Sequence, residues 1–252
     1  MRREPFITER QIRIILRSLL CACILVTCFC CPSGFAAGFS TFAGGEIDGR
    51  GQGFSYIGID MTQSINKTIS FSGRIVPSFL TYKYYSGDRL IKANSPGISP
   101  AAGIKLFRGQ SMIGLFGGVE FRNTALSPDD QSASVRGSST AGVLQGEFDT
   151  WFRGRTNLNA NASYSGTSNF AYERVRIKQQ VTNLDFNKTY TLNVGVEQFY
   201  GRNSDFNQEG VGLILELFQI SGRISVAVRG GFKHDSTFGS GVYQGLEFYK
   251  GF

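Results

Sequence analysis

SGVYQGLEFYKGF, residues 240–252, alternates along its whole length. Val242, Leu246, Phe248 and Phe252 share one face, and Tyr243, Gly245, Glu247, Tyr249 and Gly251 share the other. Successive residues of an extended chain point to opposite sides, so this segment has one apolar face and one mixed face. A closing strand of this kind, with aromatics at its end, suits the wall and interfacial girdle of a membrane barrel. In a water-soluble domain the last residues would be prone to fray. The fold class this predicts is all-β, a single antiparallel transmembrane β-barrel.

The same period recurs upstream. Ile224, Val226, Val228 and Phe232 oppose Arg223, Ser225, Arg229 and Lys233. Tyr190, Leu192, Val194 and Val196 oppose Thr191, Asn193, Gly195 and Glu197. Each alternation runs for about ten residues, the length a tilted membrane strand needs. Filling the gaps predicts twelve strands: 38–47, 54–64, 68–84, 97–108, 111–124, 137–151, 155–166, 169–181, 189–201, 208–219, 222–233 and 240–252. Ten remain if 38–47, interrupted by Gly44-Gly45, is not a strand. Pro77 requires a bulge or a break, because proline donates nothing to a ladder. With a periplasmic amino terminus, the long connections 85–96, 125–136, 202–207 and 234–239 fall outside, and 109–110, 152–154 and 220–221 inside. This is the long-outside, short-inside habit of bacterial barrels. Thr167-Ser168 and 182–188 depart from it.

Residues 1–36 read as a secretory signal: five arginines within 1–18, an apolar run from Leu19 to Cys31, then small residues to Ala36. The run is shorter than the ~20 residues a spanning helix needs. All five cysteines (21, 23, 28, 30 and 31) lie within it, so residues 37–252 carry no thiol chemistry and no disulfide framework. Residues 1–36 hold five of the 26 basic and two of the 19 acidic residues, so without them the net charge falls from +7 to +4. No nucleic-acid module is visible. Residues 37–252 form one expected domain, with no composition break to divide it.

Certain stretches bear a family stamp. They are Gly53-Phe54-Ser55-Tyr56-Ile57-Gly58, then Leu126-Ser127-Pro128-Asp129-Asp130 with Val135-Arg136-Gly137-Ser138-Ser139-Thr140, and His234-Asp235-Ser236 with Gly239-Ser240-Gly241. Through them most of residues 37–252 resembles the BcsS family of cellulose-biosynthesis outer-membrane proteins. The resemblance implies an outer-membrane location and a cellulose or related exopolysaccharide pathway. Its implied partners are outer-membrane lipids, the barrel-insertion machinery (which would read Phe252), other cellulose-synthesis proteins and the β-glucan itself. It implies no cofactor.

Asp129, Asp130, Arg136, His234 and Asp235 sit in predicted outer connections, where they are candidates either for glycan contact or for ordering the loops. Ser-Pro-Asp-Asp is itself turn chemistry, since proline sets φ and aspartates bond nearby amides. His234 is the single histidine. Catalysis with Ser236 would need a base within reach of the hydroxyl and a third group orienting it. No oxyanion-hole motif accompanies them, so no catalytic residue is assigned and the chain reads as a non-enzyme. The sequons at Asn66 and Asn187 read as chance. Tyr172, Arg174, Arg176 and Lys178 share a face with Phe170, opposite Val175, Ile177 and Val181. That face, with Arg74, Arg223, Arg229 and Lys233, is expected to line the lumen against Glu120, Glu147, Asp149 and Glu197. A charge ladder suits a neutral glucan poorly, so a passive porin or structural barrel stands as the alternative to a glucan-export role.

Overall fold

The computed structural model describes residues 37–183 and 189–252. The predicted secretory segment, 1–36, lies outside the described residues, as does the 184–188 part of the predicted inner connection. Twelve strands follow in order: β1 (Ala37–Asp48), β2 (Gly53–Ser64), β3 (Ile69–Ser86), β4 (Arg89–Arg108), β5 (Ser111–Ser127), β6 (Gly137–Phe152), β7 (Thr156–Ser165), β8 (Phe170–Asn183), β9 (Tyr190–Arg202), β10 (Asn207–Gln219), β11 (Ile224–Asp235) and β12 (Gly239–Gly251). Each pairs antiparallel with its neighbours in sequence. The barrel closes where β1 pairs with β12, from Ser40↔Gly251 to Asp48↔Tyr243. The glycine-interrupted first segment is therefore a full strand, and ten strands are excluded.

Burial is inverted relative to a soluble domain. Leu115, Leu213 and Phe232 are 65–70% exposed, whereas Asp60, Arg74, Glu197 and Arg229 are buried. Period-2 alternation produces this arrangement, with apolar residues on the outer wall and polar residues in the lumen. Closing the sheet satisfies the backbone groups that hydrocarbon could not.

The prolines act locally. At Pro77 the β2–β3 ladder skips from Tyr56↔Ser78 to Ile59↔Ile75 and keeps one register on both sides, a break without a bulge. Pro96 and Pro100 do the same to the β4–β5 ladder, which skips from Asn94↔Ala125 to Gly97↔Arg122 and from Ile98↔Phe121 to Ala101↔Gly118. The β3–β4 ladder runs unbroken from Ile69↔Leu106 to Ser86↔Arg89. The predicted outer connection 85–96 is thus wrong. Apart from a Gly87-Asp88 turn it is paired strand, because each proline loses a donor on one side only and pairs normally on the other. Likewise β5 continues to Ser127, which shortens the next connection to 128–136.

Glycine makes room for rings in the lumen. A Cβ on Gly58 would lie 2.2 Å from Phe42 Cζ, and one on Gly210 would lie 2.3 Å from Phe199 Cζ. Both rings lie directly against backbone that only glycine leaves bare.

Candidate functional site

Strand β8 presents Tyr172, Arg174, Arg176 and Lys178 on its inner face, while Val175 and Ile177 are exposed on its outer face. These cations are bound to acids on other strands. Glu247 of β12 takes Arg174 Nη1 at 2.6 Å on one oxygen and Arg176 Nη1 at 2.6 Å on the other. Arg229 of β11 reaches Glu46 at 3.0 Å, Glu197 at 3.1 Å and Glu247 at 3.4 Å. Tyr243 donates its hydroxyl to Glu197 at 2.7 Å. Lys178 pairs with Glu216 at 2.7 Å, and Glu216 also accepts from Ser225 and Asn193.

A second group sits against the other wall. Asp60 pairs with Arg74 at 2.8 Å and Lys105 at 3.0 Å, and Arg74 reaches Glu147 of β6 at 2.5 Å. The Arg74 guanidinium lies 3.5 Å from the centre of the Phe116 ring. Glu120 pairs with Arg122 at 2.7 Å and accepts from Ser165 and Thr167. On the first group's side, Lys233 of β11 pairs with Asp48 of β1 at 2.9 Å. Neither β3 and β6 nor β8 and β12 are neighbours in the sheet, so these pairs bridge the lumen. An uncompensated buried charge is strongly unfavourable, and pairing is what lets this interior hold so many.

Sequence reasoning named one side of this network better than the other. It grouped Glu120, Glu147 and Glu197 with the cations but missed Glu46, Asp60, Glu216 and Glu247 as partners. The alternation that put Glu247 opposite Leu246 was the available signal. Arg223, expected in the lumen, is exposed in the β10–β11 turn, where it adopts a positive φ of 48°. Asp149 accepts from Asn157 and Asn159. Also unforeseen was the aromatic content of the lumen. Phe199 stacks on Tyr172 with ring centres 6.3 Å apart and meets Tyr243 edge-on at 5.2 Å. Phe42, Tyr56 and Phe54 form a further run, at 6.1 and 5.6 Å.

At the end holding the odd-numbered connections, a cavity of about 350 Å³ lies between the β3–β4 hairpin tip and the β5–β6 connection. Ser86, Arg89, Ile91, Asp129, Asp130 and Gln131 border it. Asp130 accepts from the Ser132 hydroxyl at 2.6 Å, the Ser132 amide at 3.0 Å and the Tyr84 hydroxyl at 3.0 Å. The Ser132 hydroxyl, ahead of the other donors, pulls the Asp130 carboxyl down to about 2. Asp129 pairs with Arg136 at 3.3 Å, both side chains exposed.

His234 and Asp235 do not join this group. As adjacent strand residues they point to opposite sides, His234 exposed and Asp235 buried. Asp235 accepts from the Thr237 and Phe238 amides at 2.9 and 2.7 Å and so orders its own turn. His234 Nδ1 lies 3.1 Å from Ser240 Oγ, while Ser236 Oγ accepts from the Asn207 amide. No His–Ser–Asp relay is assembled by these contacts.

A closed barrel with an apolar wall and a charged, paired interior defines a bacterial outer-membrane β-barrel. The family model described as cellulose biosynthesis protein BcsS matches residues 34–252, and the chain belongs to that family. It is a cellulose-biosynthesis-associated barrel. No curated protein matches the sequence. Among solved structures, the translocator domain of the autotransporter NalP from Neisseria meningitidis is 11% identical over 95% of each chain, with a TM-score of 0.50. An outer-membrane channel from Pseudomonas putida F1 is 9% identical over 88% of this chain and 97% of its own, at 0.47. At these identities the likeness is one of fold.

Proposed function

We propose that this barrel serves cellulose or related exopolysaccharide production by holding the glucan, or the machinery that secretes it, at the outer membrane. In this reading it is neither an enzyme nor an open conduit. The observation that carries the reading is the set of ion pairs spanning the lumen, Arg74–Glu147 and Arg174–Glu247 above all. A neutral polymer passing through would have to part them, and it offers no charge to replace either partner. The cavity at the mouth supports a glucan contact outside the lumen. Arg89, Asp129, Asp130 and Gln131 offer the planar hydrogen-bonding groups that sugar hydroxyls pair with.

Two measurements test this. Deleting the gene should reduce extracellular cellulose or its attachment to cells; unchanged yield together with unchanged attachment ends the pathway reading. Purified protein in planar bilayers should carry no steady current. A steady current blocked by cello-oligosaccharides would make the lumen a conduit, and one indifferent to them would make the protein a passive porin.

A further inference from the structure

Among the described residues, the connections at the two ends of the barrel differ in charge. Connections at the odd-numbered end mix Asp88, Asp129, Asp130 and Asp205 with Arg50 and Arg136. Among the described residues, turns at the opposite end carry only cations: Lys67, Arg153, Arg155 and Arg223, with Arg108 closing β4 beside them. All five are exposed, and no ion pair among the described residues engages them. Each is preceded closely by an exposed apolar residue: Ile65 before Lys67, Phe107 before Arg108, Phe152 before Arg153 and Arg155, and Ile220 before Arg223. At the end of β12 the order is reversed, with Lys250 Nζ 4.7 Å from the centre of the Phe252 ring.

We propose that this rim binds the phosphate headgroups of anionic phospholipid. An apolar side chain beside a cation is the arrangement that reaches acyl chains and headgroup phosphates together, since lysine and arginine stretch from apolar surface toward the polar boundary. The placement identifies the partner. The pairs recur from turn to turn around the circumference, on β2–β3, β4–β5, β6–β7, β10–β11 and β12. A lipid annulus surrounds a barrel in this way, whereas an acidic protein would call for cations gathered on one side.

The test is lipid selection by the intact barrel. Protein reconstituted in mixed phosphatidylcholine and phosphatidylglycerol vesicles is extracted gently, and its retained lipid is read by native mass spectrometry. Phosphatidylglycerol should be enriched several-fold over the vesicle composition. Enrichment should fall with salt and be lost when Lys67, Arg108, Arg153, Arg155 and Arg223 are changed to glutamine. An Arg50→Gln/Arg136→Gln variant at the other end should retain it. Should the fivefold variant fail to insert, Arg153→Gln/Arg155→Gln alone should lose part of the enrichment, and lysine at both positions should restore it. Free inorganic phosphate should lower it no more than chloride does at the same ionic strength. Retention at the vesicle ratio, equal retention by the rim variants, or a loss specific to phosphate at matched ionic strength would each overturn the proposal.

Discussion

Arg174 on β8 and Glu247 on β12 meet at 2.6 Å although their strands are not neighbours in the sheet. The same carboxylate also takes Arg176 and Arg229, so one acid ties three strands across the interior.

Replacing Glu247 with glutamine should therefore destabilise the barrel more than removing any surface pair. It leaves Arg174, Arg176 and Arg229 short of their shared acid, at a cost of about 3 kcal/mol for a largely buried pair. Urea unfolding of the lipid-reconstituted protein should show an earlier midpoint. Removing Arg174 as well should restore part of the loss. An unchanged midpoint for Glu247→Gln would mean that water already compensates these cations.

Gly58→Val should disturb the wall where Phe42 lies against it. The new Cβ would come 2.2 Å from Phe42 Cζ, so the ring has to leave its place, and overpacking of this kind costs about 1–3 kcal/mol. Adding Phe42→Ala should relieve the clash. A single variant as stable as the parent would show that the ring is free to swing into the lumen.

Acid should loosen the β5–β6 connection. The Asp130 carboxyl lies at about 2, below its ordinary 3.8, so the order it brings is fully present above about pH 4 and is lost as pH falls through about 2. A spin label at Ala133 should become more mobile over that window. Asp130→Asn should be mobile already at neutral pH. Mobility independent of pH in the parent would remove Asp130 as the organiser of this connection.

Orientation can be read from one thiol placed in the barrel, with Cys21, Cys23, Cys28, Cys30 and Cys31 replaced by serine, because residues 37–252 contain no cysteine. Ser132→Cys should react with a membrane-impermeant maleimide on whole cells, and Gln110→Cys, at the opposite end, only after the outer membrane is breached. The reverse pattern would invert the barrel and move the Asp129–Asp130 cavity to the periplasm.

Most strands were legible because membrane and lumen impose opposite demands on alternate residues, and that demand is written at period 2. The upper β3–β4 hairpin was not. Residues 85–96 read as an outer connection there, although the ladder to β3 runs through them to Ser86↔Arg89 without interruption. The lumen was half legible. Alternation assigns Arg174 to a face, but nothing local states that its partner lies at residue 247, across the barrel and far along the chain. At the mouth, reading His234-Asp235 as part of a connection concealed what strand geometry requires, that the two side chains point apart. The Asp129–Arg136 pair joins residues of one connection and was within reach of sequence. The contribution of Arg89 was hidden because its own segment was read as loop.

The topology also shapes assembly. Every ladder but one joins strands adjacent in sequence, so the sheet grows by short-range zippering. The exception brings residue 40 to residue 251 and carries the largest chain-closure entropy in the molecule. Until it forms, β1 and β12 are two open edges, each able to pair with a foreign strand. The hazardous species is therefore the nearly finished sheet, and the seam between these two strands is where a helper for insertion would do the most to prevent misassembly.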